Sequence, residues 1–232
     1  YTVKDTLSLH DALPISMAGR FAYPPGVSFE HVPSVVKTAE GGYRASDGSE
    51  GLDRVVARRR AAIAAAERRF APHLVLVDKE PWGLRGEMGP ALAAARLRGA
   101  RIVLGLRDVL DEEDALAREW ERKGALEAIE RYYDEIWVYG LPAMCRPLAG
   151  LGLSPAMEGR IVYTGYLRRG APPAAAEGDP APGILVTTGG GADGTALIDW
   201  VLRAYEADAS VGPDALVVYG PFLDPGLRAG LE

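Results

Sequence analysis

The chain has few of the residues that build redox, metal or membrane sites. Among its 232 residues there is one cysteine, Cys145, which excludes an internal disulfide and favours a reducing compartment. The three histidines, His10, His31 and His73, are too widely spaced to predict a metal cluster. No apolar run approaches the roughly 18 residues of a membrane span, and no signal peptide is recognisable. These absences predict a cytoplasmic protein that binds no metal.

The chain also lacks an excess of positive charge. Its 26 Lys and Arg residues against 32 Asp and Glu residues give a formal net charge of −6, whereas a nucleic-acid surface needs clustered positive charge. We therefore expect no nucleic-acid partner and no membrane span, while peripheral contact with a membrane surface stays open. A hydrophobic content of 48% over 232 residues predicts one large or two small globular domains.

The start of the chain differs in pattern from the rest. Residues 1–16 have no sustained hydrophobic period and read like sequence appended to a gene fragment, so we expect a non-native or disordered segment there. Residues 21–49 are rich in Pro, Gly and Ser, which predicts loop with one edge strand at 32–36.

A helix is predicted over 52–70, where apolar residues recur at helical spacing. The remaining surface of this helix is expected to carry six arginines: Arg54, Arg58, Arg59, Arg60, Arg68 and Arg69. In an acidic chain we interpret this as a solvated helix face rather than a surface that binds phosphate or membrane.

The middle of the chain alternates between short apolar runs and helical patterns. This alternation predicts a parallel α/β sheet, in which ligands bind at the carboxyl ends of the strands. The predicted strands cover 74–78, 101–106, 135–139 and 160–164, and the predicted helices cover 87–98, 111–132 and 143–151.

Charged residues follow the first two of these strands, which makes the strand ends a candidate site. Lys79, Glu80 and Arg85 follow the first strand, and Arg107 and Asp108 follow the second. Glu80 and Asp108 are the candidate general bases, because a base must reach the proton that it removes. Lys79, Arg85 and Arg107 are candidates for the acceptor side of a cleft. The alternative is that Arg107 pairs with Glu80 or Asp108 and only ties loops together.

A segment dense in Pro, Ala and Gly, residues 168–183, predicts a linker between two domains. An N-terminal α/β domain is expected over 17–167, and residues 184–232 are expected to begin a second one. That second part opens with a strand at 184–188, a glycine turn and a helix at 192–209.

A strand, a glycine turn and a helix in succession predict a phosphate site, because backbone N–H groups and the helix dipole converge there. The expected diphosphate-binding residues are Thr188, Gly189, Gly190, Gly191, Asp193 and Gly194. Asp193 suits a helix cap or a sugar hydroxyl better than direct contact with phosphate, because two negative charges repel. The alternative is a tight turn that only lets the helix pack closely.

Five segments in order give the chain its resemblance to known proteins. They are VDKEPWGLRGEM, VLGLRDVLDE, YYDEIWVYG, IVYTGYLRR and ILVTTGGGADG. Together they resemble predicted glycosyltransferases related to family 28, which include the N-acetylglucosaminyltransferase acting on the lipid intermediate of peptidoglycan. The resemblance implies the GT-B fold, with two Rossmann-like, doubly wound parallel-sheet domains, the second incomplete here.

The resemblance implies an enzyme that moves a hexosyl group from a nucleotide-diphosphate sugar to an acceptor hydroxyl without a metal or other cofactor. The donor diphosphate would lie on the glycine turn, and the acceptor would face the N-terminal domain. The family's first glycine-rich loop and its nucleobase-binding segments have no counterpart here, so we expect a fragment that is inactive by itself, with the catalytic base open.

Three other classes stay open. A nucleotide-sugar epimerase of the same fold would epimerise the donor without an acceptor. A dinucleotide-binding oxidoreductase would need an acidic residue at the end of the strand after the glycine turn, where the chain has Val218-Tyr219-Gly220. A non-enzymatic sugar- or nucleotide-binding module would bind the donor without turnover.

Overall fold

The structure is a computed structural model. It describes residues 6–10, 26–37, 42–45, 48, 50–110, 112–166, 183–188, 194–208, 210–220, 223 and 225–231. The chain divides into two compact units, residues 1–169 and residues 170–232. This division falls near the start of the segment 168–183, which the sequence predicts to be a linker.

The first unit begins with two small sheets. Strand β1 (Thr6–His10) pairs in parallel with β2 (Val27–His31), and β3 (Val35–Lys37) pairs antiparallel with β4 (Tyr43–Ala45). Strand β1 therefore falls within the first sixteen residues, for which the sequence predicts no regular element. The edge strand predicted at 32–36 begins three residues later and ends one residue later, at Val35–Lys37, and Val32 is buried against helical residues instead of pairing.

The central sheet of this unit has four parallel strands in the order β5-β6-β7-β8. Every strand pair of this sheet is separated along the chain by at least one helix, as a parallel connection requires. The elements are α1 (Leu52–Phe70), β5 (Leu74–Asp78), α2 (Gly89–Leu97), β6 (Arg101–Arg107), α3 (Glu113–Lys123), α4 (Ala125–Tyr132), β7 (Glu135–Tyr139), α5 (Pro155–Glu158) and β8 (Ile161–Tyr163).

The core of the unit lies between one face of this sheet and the helices. Ile102, Leu104 and Ile136 point to that face and are fully buried with Leu92 of α2 and Ile129 of α4. Strand β6 is buried along residues 102–106, which is typical of a central parallel strand. On the other face, the side chains of β5 and β8 are partly open, with Leu74 and Leu76 each 49% exposed and Val162 41% exposed.

Two helix predictions are wrong in this unit. The single helix predicted over 111–132 is two helices, because Gly124 has φ +61° and ends α3 in the left-handed conformation that glycine adopts without strain. The helix predicted over 143–151 is a series of turns, and the helix α5 forms later at Pro155–Glu158. Pro147, Gly150 and Gly152 in this segment favour turns over a continuing helix.

One of the six arginines expected on the surface of α1 is buried instead. Arg59 is fully buried, and its guanidinium binds the carboxylate of Glu87 through Nε and Nη2 at 2.5 and 2.8 Å. Its Nη1 donates to the carbonyl oxygen of Pro33 at 2.7 Å. A buried charge requires such partners, so Arg59 links α1 to Pro33 before it in the chain and to Glu87 after it.

The second unit is described by four elements. Strand β9 (Ile184–Thr187) pairs in parallel with β10 (Ala215–Val218), and the helices are α6 (Thr195–Ala207) and α7 (Pro225–Leu231). The strand predicted at 184–188 agrees with β9 to within one residue, and helix α6 lies within the predicted range 192–209.

The protein is thus mixed α/β with a four-stranded parallel sheet flanked by helices, which is compatible with a Rossmann-like domain. The four strands follow chain order, and the reversal of strand order that defines a doubly wound sheet does not occur among them. No helix in the described ranges is both long and apolar enough to cross a membrane.

Candidate functional site

The carboxyl ends of the four parallel strands meet at one edge of the sheet, hereafter the carboxyl edge. Strands β5, β6 and β7 end at Asp78, Arg107 and Tyr139, and strand β8 is followed by Thr164, Gly165 and Tyr166. Since ligands of parallel sheets bind at such an edge, these side chains and the loops that follow them form the candidate site.

Asp108 is held in place by contacts on two sides. Its Oδ2 accepts a hydrogen bond of 2.6 Å from the phenol of Tyr166, and its Oδ1 accepts one of 2.9 Å from the N–H of Val109. The side chain also lies against Gly140, where an added Cβ would overlap the Cβ of Asp108. The hydrogen bond to Asp108 raises the pKa of Tyr166, and burial and the negative charge of Asp108 act in the same direction.

Tyr139 lies across the neighbouring strand β6. The phenol of Tyr139 occupies the space that a Cβ at Gly105 would take. Gly105 is paired in register with Asp78 on the next strand, so the phenol and that carboxylate are near one another. Burial raises the pKa of Tyr139, and the charge of Asp78 raises it further. A phenol at a strand end whose pKa is raised by burial and by a neighbouring carboxylate is a candidate functional group.

Arg107 is exposed and sits in register with Tyr139. Within the described ranges, no carboxylate forms an ion pair with Arg107. The alternative that Arg107 pairs with Glu80 or Asp108 and ties loops together is therefore wrong. An unpaired guanidinium at the carboxyl edge is suited to an anionic group of a ligand.

The second candidate base, Glu80, has a different environment from Asp108. Its Oε2 accepts a hydrogen bond of 2.8 Å from Lys123 of α3, and the same ammonium donates to Glu119 at 2.6 Å. Burial lowers the pKa of Lys123, but the hydrogen bonds to Glu119 and Glu80 outweigh this effect and leave it raised. Because Glu80 is in an ion pair with a helix of the scaffold, Asp108 is the better placed of the two carboxylates to accept a proton.

The loop after β5 contains residues in uncommon backbone conformations. Lys79 has φ +64° and Arg85 has φ +50°, both in the left-handed region that residues with a Cβ seldom adopt. The Lys79 side chain is exposed, and the Arg85 guanidinium donates to Asp53 of α1 at 2.6 Å. Backbone strain of this kind persists only where surrounding contacts impose it, and it is found preferentially at functional sites.

Buried contacts impose this loop conformation. Glu87 accepts both hydrogen bonds from Arg59 and a third, of 3.2 Å, from the N–H of Leu84. The indole of Trp82 donates to the carbonyl of Gly124 at 2.8 Å, and the phenol of Tyr133 donates to the carbonyl of Pro81 at 2.6 Å. The loop is therefore fixed to helices α1 and α4 and to the turn between α3 and α4 before any ligand binds.

Most of the predicted diphosphate site lies outside the described residues. Gly189, Gly190, Gly191 and Asp193 are in this group. Thr188 and Gly194 are described, at the end of β9 and just before α6. An added Cβ at Gly194 would overlap the side chain of Thr188, so a glycine is required there. The Oγ1 atom of Thr188 is buried and has no hydrogen-bond partner.

In the described part of the chain, no group of three or more His, Cys, Asp or Glu side chains could hold a metal ion. A cavity of about 420 Å³ is lined by residues of α3, α4 and the turn at Gly150 and Leu151, and none of its lining residues belongs to the carboxyl edge.

Several residues of the site were not predicted from the sequence. Tyr166 and Tyr139 lie within the segments IVYTGYLRR and YYDEIWVYG, but their partners are distant in the chain or on another strand. Asp78 is the last residue of the strand predicted at 74–78. The one available signal was position, because all three residues end or follow a parallel strand.

Comparisons of the chain with protein-family models, with curated proteins and with solved structures found no match. The resemblance to glycosyltransferases therefore stays a prediction from the sequence. The function has to be argued from the residues at the carboxyl edge and around Thr188.

Proposed function

We propose that the protein is a metal-independent glycosyltransferase of the GT-B fold, related to family 28. It would transfer a hexosyl group from a nucleotide-diphosphate sugar to an acceptor hydroxyl. Residues 17–167 would form the acceptor domain, residues 168–183 the linker, and residues 184–232 the start of the donor domain. The five sequence segments and the parallel sheet of the first unit support this proposal.

The observation that carries the proposal is the environment of Asp108. Its carboxylate is at the carboxyl edge, has no cation paired with it among the described residues, and is oriented by Tyr166 and Gly140. A general base needs to be fixed in position and free to accept a proton. Glu80, which is in an ion pair with Lys123, meets this requirement less well.

In the proposed reaction Asp108 accepts the proton of the acceptor hydroxyl while the hydroxyl oxygen attacks the anomeric carbon of the donor. The bond between that carbon and the diphosphate breaks, and the nucleotide diphosphate leaves with the electron pair. Backbone N–H groups of residues 189–194 would stabilise the leaving diphosphate, and Arg107 would bind an anionic group of the acceptor.

The direct test of the donor site is binding of nucleotide sugars to the purified chain. Saturation-transfer NMR with UDP-N-acetylglucosamine, UDP-glucose, GDP-mannose and dTDP-glucose should detect at least one donor. Gly190→Val should abolish that signal, because a branched side chain blocks the close approach of phosphate to the backbone. Gly230→Val is the matched control, since nothing lies within 4 Å of a Cβ added at Gly230.

The test of the base is transfer of the hexosyl group to an acceptor, measured as turnover per folded molecule. Asp108→Asn should lower kcat by about 10²- to 10⁴-fold with little change in donor binding, whereas Glu80→Gln should have a much smaller effect. Equal turnover of the wild type and Asp108→Asn, per folded molecule, would contradict the role of Asp108. Epimerisation of the donor without an acceptor would instead identify the epimerase alternative, and donor binding without turnover a binding module.

A further inference from the structure

The cavity of about 420 Å³ beside helix α3 has the size of a site for a small ligand. Ligand sites in proteins have volumes of about 300–1,000 Å³ and a mostly apolar lining with a few polar groups. Half of the lining residues of this cavity have apolar side chains: Ala117, Trp120, Leu126 and Leu151. None of the lining residues belongs to the carboxyl edge, so the cavity is separate from the candidate site described above.

Three carboxylates lie at this cavity. Glu121 and Glu127 line it, and a Cβ added at the lining residue Gly124 would be 3.8 Å from Oε2 of Glu127. A Cβ added at Gly150, which also lines the cavity, would overlap the carboxylate of Glu113. The lining includes no Lys, Arg or His, so the charge of the cavity wall is negative.

These carboxylates are not neutralised by the cations around them. Glu113, Glu121 and Glu127 form no ion pair with any described residue. The exposed arginines of α3, Arg118 and Arg122, do not line the cavity. Because like charges that share a site repel each other, a cationic ligand is favoured in this cavity and an anionic one is disfavoured.

The indole of Trp120 adds a hydrogen-bond donor to the cavity wall. The residue is only 6% exposed. Trp82 and Trp137 donate their indole N–H groups to oxygen atoms of the protein, whereas no described residue accepts a hydrogen bond from Trp120. A buried donor without an acceptor costs free energy, which an oxygen atom of a ligand would recover. An ammonium group cannot accept this bond, so the matching ligand has both a positive charge and an oxygen atom.

We propose that this cavity is a binding site for sugars that carry a free amino group. The ammonium group pairs with the carboxylates, and the sugar hydroxyls donate hydrogen bonds to the remaining carboxylate oxygens. A hydroxyl or ring oxygen accepts the hydrogen bond from Trp120, and the apolar face of the sugar ring packs on the apolar lining. The inference is independent of the proposed glycosyl transfer and uses none of the residues assigned to that reaction.

The experiment is calorimetric titration of the full chain with the disaccharide of glucosamine, at about pH 6, where carboxylates are ionised and amines are protonated. Cellobiose is the matched sugar without amines, and putrescine is the matched diamine without oxygen. The glucosamine disaccharide should bind about 2- to 25-fold more tightly than cellobiose, because two exposed ion pairs contribute about 1.4- to 5-fold each. It should bind about 2- to 12-fold more tightly than putrescine, because the hydrogen bond from Trp120 is added.

Two variants assign the binding to this cavity. Glu121→Gln/Glu127→Gln removes two charges, so it should weaken binding of the glucosamine disaccharide about 2- to 25-fold and leave binding of cellobiose unchanged. Trp120→Phe removes the indole N–H, so it should weaken binding of the disaccharide about 2- to 12-fold and leave binding of putrescine unchanged. Circular dichroism checks the fold of each variant. If Trp120→Phe does not fold, the comparison with putrescine still tests the need for an oxygen atom.

The matched control is Glu158→Gln/Glu206→Gln, which removes the same charge from two exposed carboxylates that do not line the cavity. This variant should bind the glucosamine disaccharide within about twofold of the wild type, because its charges are screened from the cavity. Equal weakening by the two double variants would overturn the proposal, because binding would then follow net charge alone. Absence of binding of the glucosamine disaccharide would also overturn it, as would equally tight binding of cellobiose or of putrescine.

Discussion

The phenol of Tyr166 donates a 2.6 Å hydrogen bond to the carboxylate of Asp108, and the two residues are separated by 58 positions in the chain. This bond joins the residue after strand β6 to a residue after strand β8, across strand β7 between them. The side chain of Asp108 lies on Gly140, directly after β7, so three strand ends fix one carboxylate. A partly exposed carboxylate held in this way is positioned without being neutralised by a cation among the described residues.

The first prediction concerns the ionisation of Tyr166. The hydrogen bond to Asp108 is the main cause of its raised pKa, so Asp108→Asn should lower the pKa of the phenol toward its ordinary value of 10.0. Because the pKa of Tyr166 is higher in the folded protein than in the unfolded one, this tyrosine stabilises the fold at pH values below the unfolded pKa. That contribution to stability is lost as the pH rises through the folded pKa. Tyrosinate absorbance during a pH titration measures the effect, and Tyr166→Phe identifies which signal belongs to Tyr166. An unchanged titration curve in Asp108→Asn would contradict the hydrogen bond.

The second prediction compares a buried ion pair with an exposed one on the same helix. Glu87→Gln leaves the buried charge of Arg59 without its partner, which should lower the free energy of unfolding by about 3–5 kcal/mol. Arg58→Gln removes the exposed pair with Glu50 and should cost no more than about 1 kcal/mol. Urea denaturation of the three proteins measures both values. Similar losses in the two variants would mean that Arg59 and Glu87 are not buried together.

Local pattern was sufficient to predict the central sheet. Strands β5, β6 and β7 are apolar runs of β-branched and aromatic residues between polar segments, and each lies within one residue of its predicted range. The helical periods over 111–132 and 143–151 predict helices that Gly124 and the Gly and Pro residues of 143–151 interrupt.

Contacts between distant residues could not be predicted from pattern. Arginine is usually exposed, so nothing in the sequence near Arg59 indicates that Glu87, 28 residues away, buries it. The division of roles between Glu80 and Asp108 likewise depends on Lys123 and Tyr166, which only the fold brings near. Position at a strand end predicts a candidate site, and tertiary contacts decide which of its carboxylates is free of a cation.

The third prediction concerns the two glycines beneath site residues. Gly140→Ala places a Cβ against the Cβ of Asp108, and the Cβ of Asp108 cannot move unless its backbone moves too. We therefore expect the free energy of unfolding to fall by about 1–3 kcal/mol. Gly105→Ala meets only the outer atoms of Tyr139, which can rotate away at lower cost. The rotation should reduce the burial of Tyr139 and so lower its raised pKa toward 10.0. Thermal unfolding measures the stability of both variants, and tyrosinate titration measures the pKa of Tyr139. A larger loss of stability in Gly105→Ala than in Gly140→Ala would contradict these contacts.

The fourth prediction concerns stability in acid. Burial raises the pKa of Asp134, but hydrogen bonds from the N–H of Ile102 and from Arg96 outweigh it and hold the pKa below its ordinary value of 3.8. Because the pKa of Asp134 is lower in the folded protein than in the unfolded one, its carboxylate stabilises the fold at pH values above the unfolded pKa. That contribution to stability is lost as the pH falls through the folded pKa. The wild type should therefore be more stable than Asp134→Asn at pH 7, and the difference should narrow below pH 3.8. If the difference in unfolding free energy between the two proteins were constant with pH, the lowered pKa of Asp134 would be contradicted.

The last prediction separates a structural role of Thr188 from a binding role. Its buried Oγ1 has no hydrogen-bond partner, so the hydroxyl costs free energy in the unliganded protein. Thr188→Val keeps the shape of the side chain and should leave stability unchanged or raise it by about 1 kcal/mol. If the hydroxyl donates to a bound diphosphate, the same variant should weaken donor binding about 3- to 10-fold, which corresponds to the net worth of one hydrogen bond.

The control for Thr188 is its neighbour. Thr187 is exposed at the end of β9, so Thr187→Val should change neither stability nor donor affinity by more than about 0.5 kcal/mol. Thermal unfolding and calorimetric titration with the donor found by NMR measure both quantities on the same samples. Opposite effects on stability and affinity at Thr188 alone would show that the hydroxyl is kept for a ligand. Lower stability with unchanged affinity would mean that its role is in packing against Gly194, and the diphosphate would then have to bind elsewhere.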